Sequence, residues 1–232
     1  MKTIQTLFVI ICMHLFPQFC FSQSEAVLIK GVKDKLDKVS NYQADGLMTI
    51  DVSFIKVPPS AVKVYYKKPD KFNVKKDGGI SILPKGSASV NLNSIISGEN
   101  YTIVPAGNTV LENSTVRIIK LLPNDENSDV VVTSLYIDEK KLLIRKSVIT
   151  TKESGTYEIE MAYGKYSEWG LPDKVIFIFN TKDYKLPKGV TFEYESGEKK
   201  PKTANSENKK GKVEIAYSSY IINKGVPDSY FK

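Results

Sequence analysis

The sequence predicts a mainly β (α+β) protein: a strongly curved antiparallel sheet or half-barrel with an N-terminal amphipathic helix and one or more short covering helices. Three observations point there. Apolar residues recur with period two through most of the chain, turn residues separate these runs at short intervals, and one segment near the start carries a clear helical period. Strands joined by short turns pair antiparallel, and so little helix cannot cover so much sheet. The sheet must therefore curl to bury its apolar face, which can leave a cavity at the open side.

The first 22 residues read as an export signal. Lys2 supplies the charged start, Leu7 to Phe16 is an apolar run too short to span a bilayer, and Cys20-Phe21-Ser22 places small residues at minus three and minus one before Gln23. Cleavage is expected after Ser22, leaving residues 23–232 as one domain in the periplasm. Lipid attachment at Cys20 is disfavoured because Phe19, Pro17 and Gln18 do not form the small-residue site it needs. The same cut removes His14, Cys12 and Cys20, the chain's one histidine and both its cysteines. Without imidazole or thiol there is no Ser-His-Asp triad, no cysteine nucleophile, no His/Cys zinc site and no disulfide. The expectation is a binding protein with no catalytic residue, no metal and no cofactor.

Composition narrows the partners. Without Lys2 the 33 basic residues fall to 32 against 26 acidic ones, a formal charge of +6. Nearly all of the excess is lysine, since Arg117 and Arg145 are the only arginines. Nucleic-acid readers lean on the planar arginine fork, so nucleic acid is not an expected partner. Anionic surfaces and head groups remain possible, and with them transient contact with a membrane surface.

Along 24–41, Leu28, Val32, Leu36 and Val39 recur at spacings of four, four and three, which predicts an amphipathic helix with Ser24 as its cap. A long strand follows over 42–56, with Ala44, Gly46, Met48, Ile50, Val52 and Phe54 on one face, and Pro58-Pro59 is expected to end it. The next two strands are read at 61–68 and 71–76. Beyond the turn Asp77-Gly78-Gly79, strands are expected at 80–83, 101–104, 110–122, 130–138, 142–151, 155–163, 174–180, 190–195 and 212–222. The stretch 87–97 is read as a short helix, and the lysine-rich 197–212 as a solvated loop.

Four constellations invite a chemical reading. Glu158 and Glu160 stand two apart, a spacing that invites comparison with a glycosidase carboxylate pair, but they alternate with Tyr157, Ile159 and Met161, as the wet face of a half-buried strand does. Ser60 and Lys63 match a Ser-x-x-Lys spacing in what reads as a strand entry, not the helix that the chemistry requires. Asp125, Asn127 and Asp129 have the start of a calcium loop, yet Val130 and Tyr136 occupy the places of its glycine and glutamate. The lysines from Lys63 to Lys76, interleaved with Tyr65, Tyr66 and Phe72, are either an anion-binding patch or a strand edge kept soluble.

The order of these signals resembles the periplasmic outer-membrane lipoprotein carriers, the LolA/LolB-like family. The resemblance rests on a signal peptide, an amphipathic helix and a long strand, then Tyr65-Tyr66-Lys67-Lys68-Pro69-Asp70-Lys71-Phe72, Tyr136-Ile137-Asp138 and Gly170-Leu171-Pro172-Asp173. It spans most of the mature chain through short motifs. Where the family phrase often carries arginine, this chain has Lys68 and Asn73. The resemblance implies a half-barrel closed by helices around an apolar cavity that shields acyl chains, and so a carrier of lipid or lipoprotein with an envelope protein as a further partner. Met48, Ile50, Val52, Phe54, Val64, Tyr66 and Phe72 are the candidate cavity residues. An ordinary filled core would use the same ones, and an envelope sensor or structural module of this fold, or a carboxylate-based hydrolase, stays open as an alternative.

Overall fold

A computed structural model describes residues 20–52, 55–76, 96, 100–180 and 210–231. Helix α1 (Cys20–Leu36) begins before Ser24, which lies inside it instead of capping it. Its buried stripe is Glu25, Ile29, Val32 and Leu36, while Leu28 is half-buried. These spacings of four, three and four are one face of a 3.6-residue helix, one position out of phase at its start with the stripe read from sequence.

Ten strands follow: β1 (Asn41–Val52), β2 (Ile55–Lys67), β3 (Lys71–Lys76), β4 (Tyr101–Leu111), β5 (Ser114–Pro123), β6 (Val130–Asp138), β7 (Leu143–Thr151), β8 (Gly155–Ala162), β9 (Lys174–Asn180) and β10 (Lys210–Ile222). They form one sheet in the order β3-β2-β1-β10-β9-β8-β7-β6-β5-β4, and every neighbouring pair is antiparallel. Short 3-10 turns lie at Ser167–Trp169 and Asp228–Phe231. Among the described residues β3 and β4 stand at the two edges, so the sheet is open.

The sheet is curled. Laid flat, ten strands at about 4.8 Å spacing would be about 43 Å wide, several times the diameter of a helix. Yet one apolar cluster joins Ile29, Val32 and Leu36 of the helix to residues of all ten strands, including Phe72 and Val74 of β3 and Tyr101 and Ile103 of β4. Helix α1 shares a cluster with both edge strands only because the sheet wraps around it.

Three strand expectations are corrected. The strand read over 42–56 ends at Val52, which pairs with Ile55, and Pro58-Pro59 lies inside β2 instead of ending a strand. The prolines sit where the register slips, with Met48 opposite Ser60 but Ile50 opposite Val57, and a bulge is where a sheet tolerates a residue that cannot donate. The strand read over 110–122 is two, β4 and β5, joined through Glu112 and Asn113 at φ 45° and 65°. Two successive left-handed residues make the tight turn favoured in hairpins, and Glu-Asn is a weak signal for it. Finally, β10 begins at Lys210, inside the expected 197–212 loop. The strands read at 80–83 and 190–195 lie outside the described residues, as does the 87–97 helix except Ile96, which is helical and buried.

Candidate functional site

Alternation along β1 and β2 sends Met48, Ile50, Val52, Val62, Val64 and Tyr66 to the concave side, with Ala44 opposite Val64 and Tyr42 opposite Tyr66. Of the candidate cavity residues, Met48, Ile50, Val52, Val64 and Tyr66 are there, each at most 6% exposed. Phe72, opposite Tyr66 on β3, is half-buried against the same cluster. Phe54 lies outside the described residues. Further around the sheet the inner face continues through Ile119, Leu135, Ile149, Ile159, Phe177 and Ile215. It is an apolar surface carried by every strand.

One end of this face is aromatic. Tyr42 lies 5.3 Å, centroid to centroid, from both Tyr66 and Tyr220, and Tyr220 is 4.8 Å from Tyr166 and 5.1 Å from Tyr217. A bulge between Asp45 and Gly46 shifts the β1–β10 register, so Tyr217 and Tyr220, three apart, both pack against the core. Burial pushes the phenols of Tyr217 and Tyr42 well above their ordinary range, and neighbouring tyrosines add to the rise at Tyr42. They stay neutral at any working pH. The Tyr220 hydroxyl donates to the Pro172 carbonyl at 2.7 Å. Pro172 follows Gly170, which closes a 3-10 turn at φ 67°, and a side chain there would lie 2.9 Å from Leu36 Cδ2. The Gly170-Leu171-Pro172-Asp173 phrase therefore fastens the end of α1 to the sheet.

The helix is also tied by charge, which the sequence reading did not find. Glu25, 1% exposed, accepts from Arg117 Nη1 at 3.1 Å, while Arg117 Nε donates to Glu139 at 2.8 Å. Arg117 stands opposite Ile137 and shares the inward parity of Ile119 and Leu121. The hydrogen bond that Arg117 donates to Glu139 holds its pKa above the ordinary value against desolvation, and Glu25 adds to that. Glu25 Oε2 and the buried Ser147 hydroxyl have no partner among the described residues. Two signals could have found the pair: Glu25 is in phase with Ile29, Val32 and Leu36, and Arg117 alternates with inward residues.

The convex face carries the remaining constellations. Glu158 is paired with Lys146 and, at 3.1 Å, with Lys210, and Glu160 lies 3.5 Å from Lys146. These partners, Lys146 first, hold the Glu158 carboxyl below the usual range against desolvation. A carboxylate fixed in that state is a poor general acid. The Ser60 hydroxyl donates to the Pro58 carbonyl, and Lys63 pairs with Asp45 at 2.6 Å. Asp125 accepts from the Asn127 amide at 2.9 Å and Asp129 from the Glu153 amide at 3.2 Å, as turn residues do. No group of three or more metal-ligating side chains occurs among the described residues.

Much of the basic patch is internally paired. Lys67 and Lys71 both reach Asp228, at 2.9 and 3.0 Å, and Lys68 reaches the Asp37 carboxylate at 2.7 Å and its carbonyl at 2.8 Å. The two positions where the family phrase often has arginine thus hold the helix end through Lys68 and, through the Asn73 amide, the Tyr230 carbonyl. No helix among the described residues is long and apolar enough to cross a membrane.

An open, curled antiparallel sheet with α1 laid against its apolar inner face is a half-barrel. Its fold is LolA-like. It matches the structure of a DUF1329 family protein from Desulfovibrio piger, with a TM-score of 0.55 at 12% identity over 89% of this chain and 96% of that one. A domain assigned to outer membrane lipoprotein sorting in Vibrio parahaemolyticus matches with a TM-score of 0.54 at 9% identity, over 88% and 95% of the two chains. A LolA superfamily protein from Nitrosomonas europaea does so with a TM-score of 0.53 at 11%, over 88% and 97%. At these identities the shared property is the fold. No protein-family model matches the sequence, and no curated protein matches it.

Proposed function

We propose that residues 23–232, exported and cut after Ser22, form a single-domain periplasmic carrier that holds the acyl chains of a lipid or lipoprotein against the concave face. Met48, Ile50, Val52, Phe54, Val64, Tyr66 and Phe72 contribute to the contact. The carrying observation is that one apolar cluster runs over all ten described strands of an open sheet and includes the buried stripe of α1. Each methylene taken from water contributes about 0.8 kcal/mol, so such a face holds an acyl chain without a nucleophile, a metal or a cofactor. The protein acts by binding, not by chemistry, and loads through transient contact with a membrane surface. A role in outer-membrane lipoprotein sorting is the form of this reading that the assignment of the Vibrio domain supports.

Mass spectrometry of organic extracts from the purified protein tests this directly. Lipid or acylated peptide near one per chain is the expected result. Extracts without lipid, together with no binding of a neutral fluorescent acyl probe by the wild type, would overturn it.

A second reading has an observation of its own. Met48, Ile50, Val52, Val64 and Tyr66 are packed among one another and the helix, as a filled core would be. On that reading the protein is an envelope sensor or structural module, and its ligand is a protein.

A further inference from the structure

A second concavity lies beside the C-terminal half of α1. Of about 700 Å³, it is bounded by the C-terminal half of α1, the turn between β6 and β7, and the segment after β8. Lys35, Lys38, Lys140, Lys141 and Arg145 line it, against two acids, Asp34 and Glu168. Asp34 is neutralised by Lys30 at 2.6 Å. Lys35 is spent on structure, its Nζ donating to the Lys141 carbonyl at 2.7 Å, and Arg145 is held by Glu112. The exposed ammonium groups of Lys38, Lys140 and Lys141 have no partner among the described residues. Three like charges gathered at one groove repel one another until an anion arrives.

The floor of the groove is apolar. Leu143 is 2% exposed, and Leu142 packs against the core cluster. Leu142 is held at φ 52°, a left-handed conformation that a bulky side chain rarely adopts. Its Cδ2 would lie 3.2 Å from a side chain at position 31, so Gly31 is what lets the turn approach the helix. The turn thus places Leu142 inward and its two lysines on the rim.

We propose that this groove binds an anionic phosphate group, with Lys38, Lys140 and Lys141 supplying the charge. The phosphate belongs to a lipid head group or is free. The site is separate from the concave face assigned to acyl chains, so each stands or falls by its own measurement.

Trp169, the chain's only tryptophan, follows the lining residues Ser167 and Glu168 and is 40% exposed, so its fluorescence reports on the groove. The full protein is titrated with lysophosphatidylglycerol below its micelle concentration, with and without inorganic phosphate as competitor. The variant carrying Lys38→Gln, Lys140→Gln and Lys141→Gln is expected to bind about tenfold or more weakly. Lys120→Gln, Lys212→Gln and Lys224→Gln together remove the same charge from elsewhere and are expected to weaken it by about twofold or less. All six lysines are exposed, so both variants should keep the wild-type melt. Competition by phosphate would show that the anion alone is bound. With the tenfold loss in place, lack of competition would show that the site takes the lipid head group. Equal weakening in both triple variants, or no binding of either ligand by the wild type, would overturn the proposal. A neutral acyl probe, by contrast, should bind the first triple variant as it binds the wild type.

Discussion

Tyr230 stacks on Tyr65, with ring centroids 4.3 Å apart and planes 8° from parallel. Tyr65 points to the convex side of β2 yet is 4% exposed, and Tyr230, in the turn Asp228–Phe231, is the ring that covers it. Lys75 lies 4.9 Å over the Tyr230 ring, and Asp228 holds Lys67 and Lys71. The C-terminal turn is therefore a latch on the β2–β3 hairpin, whose outer strand is a sheet edge.

Replacing Tyr230 with alanine should destabilise the protein by about 1 to 2 kcal/mol, the stack together with the ring area it buries. Urea unfolding measures this. Tyr230→Phe should keep most of the stability, because the stack survives, and faster hydrogen exchange in Tyr230→Ala should be concentrated in β3.

Acid should loosen the same latch. Hydrogen bonds from Lys67 and then Lys71 hold the Asp228 carboxyl down at about 2, below its value in an unfolded chain. A depressed carboxyl stabilises above the unfolded pKa and loses that contribution as protons bind, so the latch should weaken between about pH 4 and pH 2. Ring NMR signals of Tyr230 followed through that window should shift in the wild type. In Asp228→Asn they should not titrate there.

Glu25 depends on Arg117. Arg117→Met should cost about 3 kcal/mol or more in a guanidinium unfolding series, because it leaves a buried carboxylate without its cation. Adding Glu25→Gln to that variant should recover a large part of the loss. Equal stability of the single and double variants would show that the carboxylate reaches water.

Ile50→Asp separates carrier from filled core. On the carrier reading the aspartate meets a face open to ligand and water, so the cooperative melt should persist while acyl-probe binding falls at least about tenfold. In a solid core the same charge costs more than a domain of marginal stability absorbs, and the melt itself is lost.

Much of the fold was legible because its signals are local. Period-two runs at 71–76, 130–138 and 174–180 match strands β3, β6 and β9 end to end, since alternation across a half-buried sheet is written residue by residue. Two of the misplaced strand boundaries have local causes that compete with the period: prolines absorbed by a bulge opposite Thr49, and a hairpin turn made from Glu112 and Asn113 without glycine.

By itself, then, the sequence determined the class of the protein: an N-terminal helix, an antiparallel sheet too large for that helix unless curled, and no imidazole or thiol after Cys20. It also determined which side of β1 and β2 is apolar, and so placed Met48, Ile50, Val52, Val64 and Tyr66. Only the tertiary structure decided the long-range pairings. Strand β10 inserts between β1 and β9, Arg117 meets Glu25 across 92 positions, Asp228 neutralises Lys67 and Lys71, and Lys38 comes beside Lys140 and Lys141. Periodicity records the face a residue takes in its own element. It carries no information on which distant element will meet that face, because that is set by the register and curl of the whole sheet.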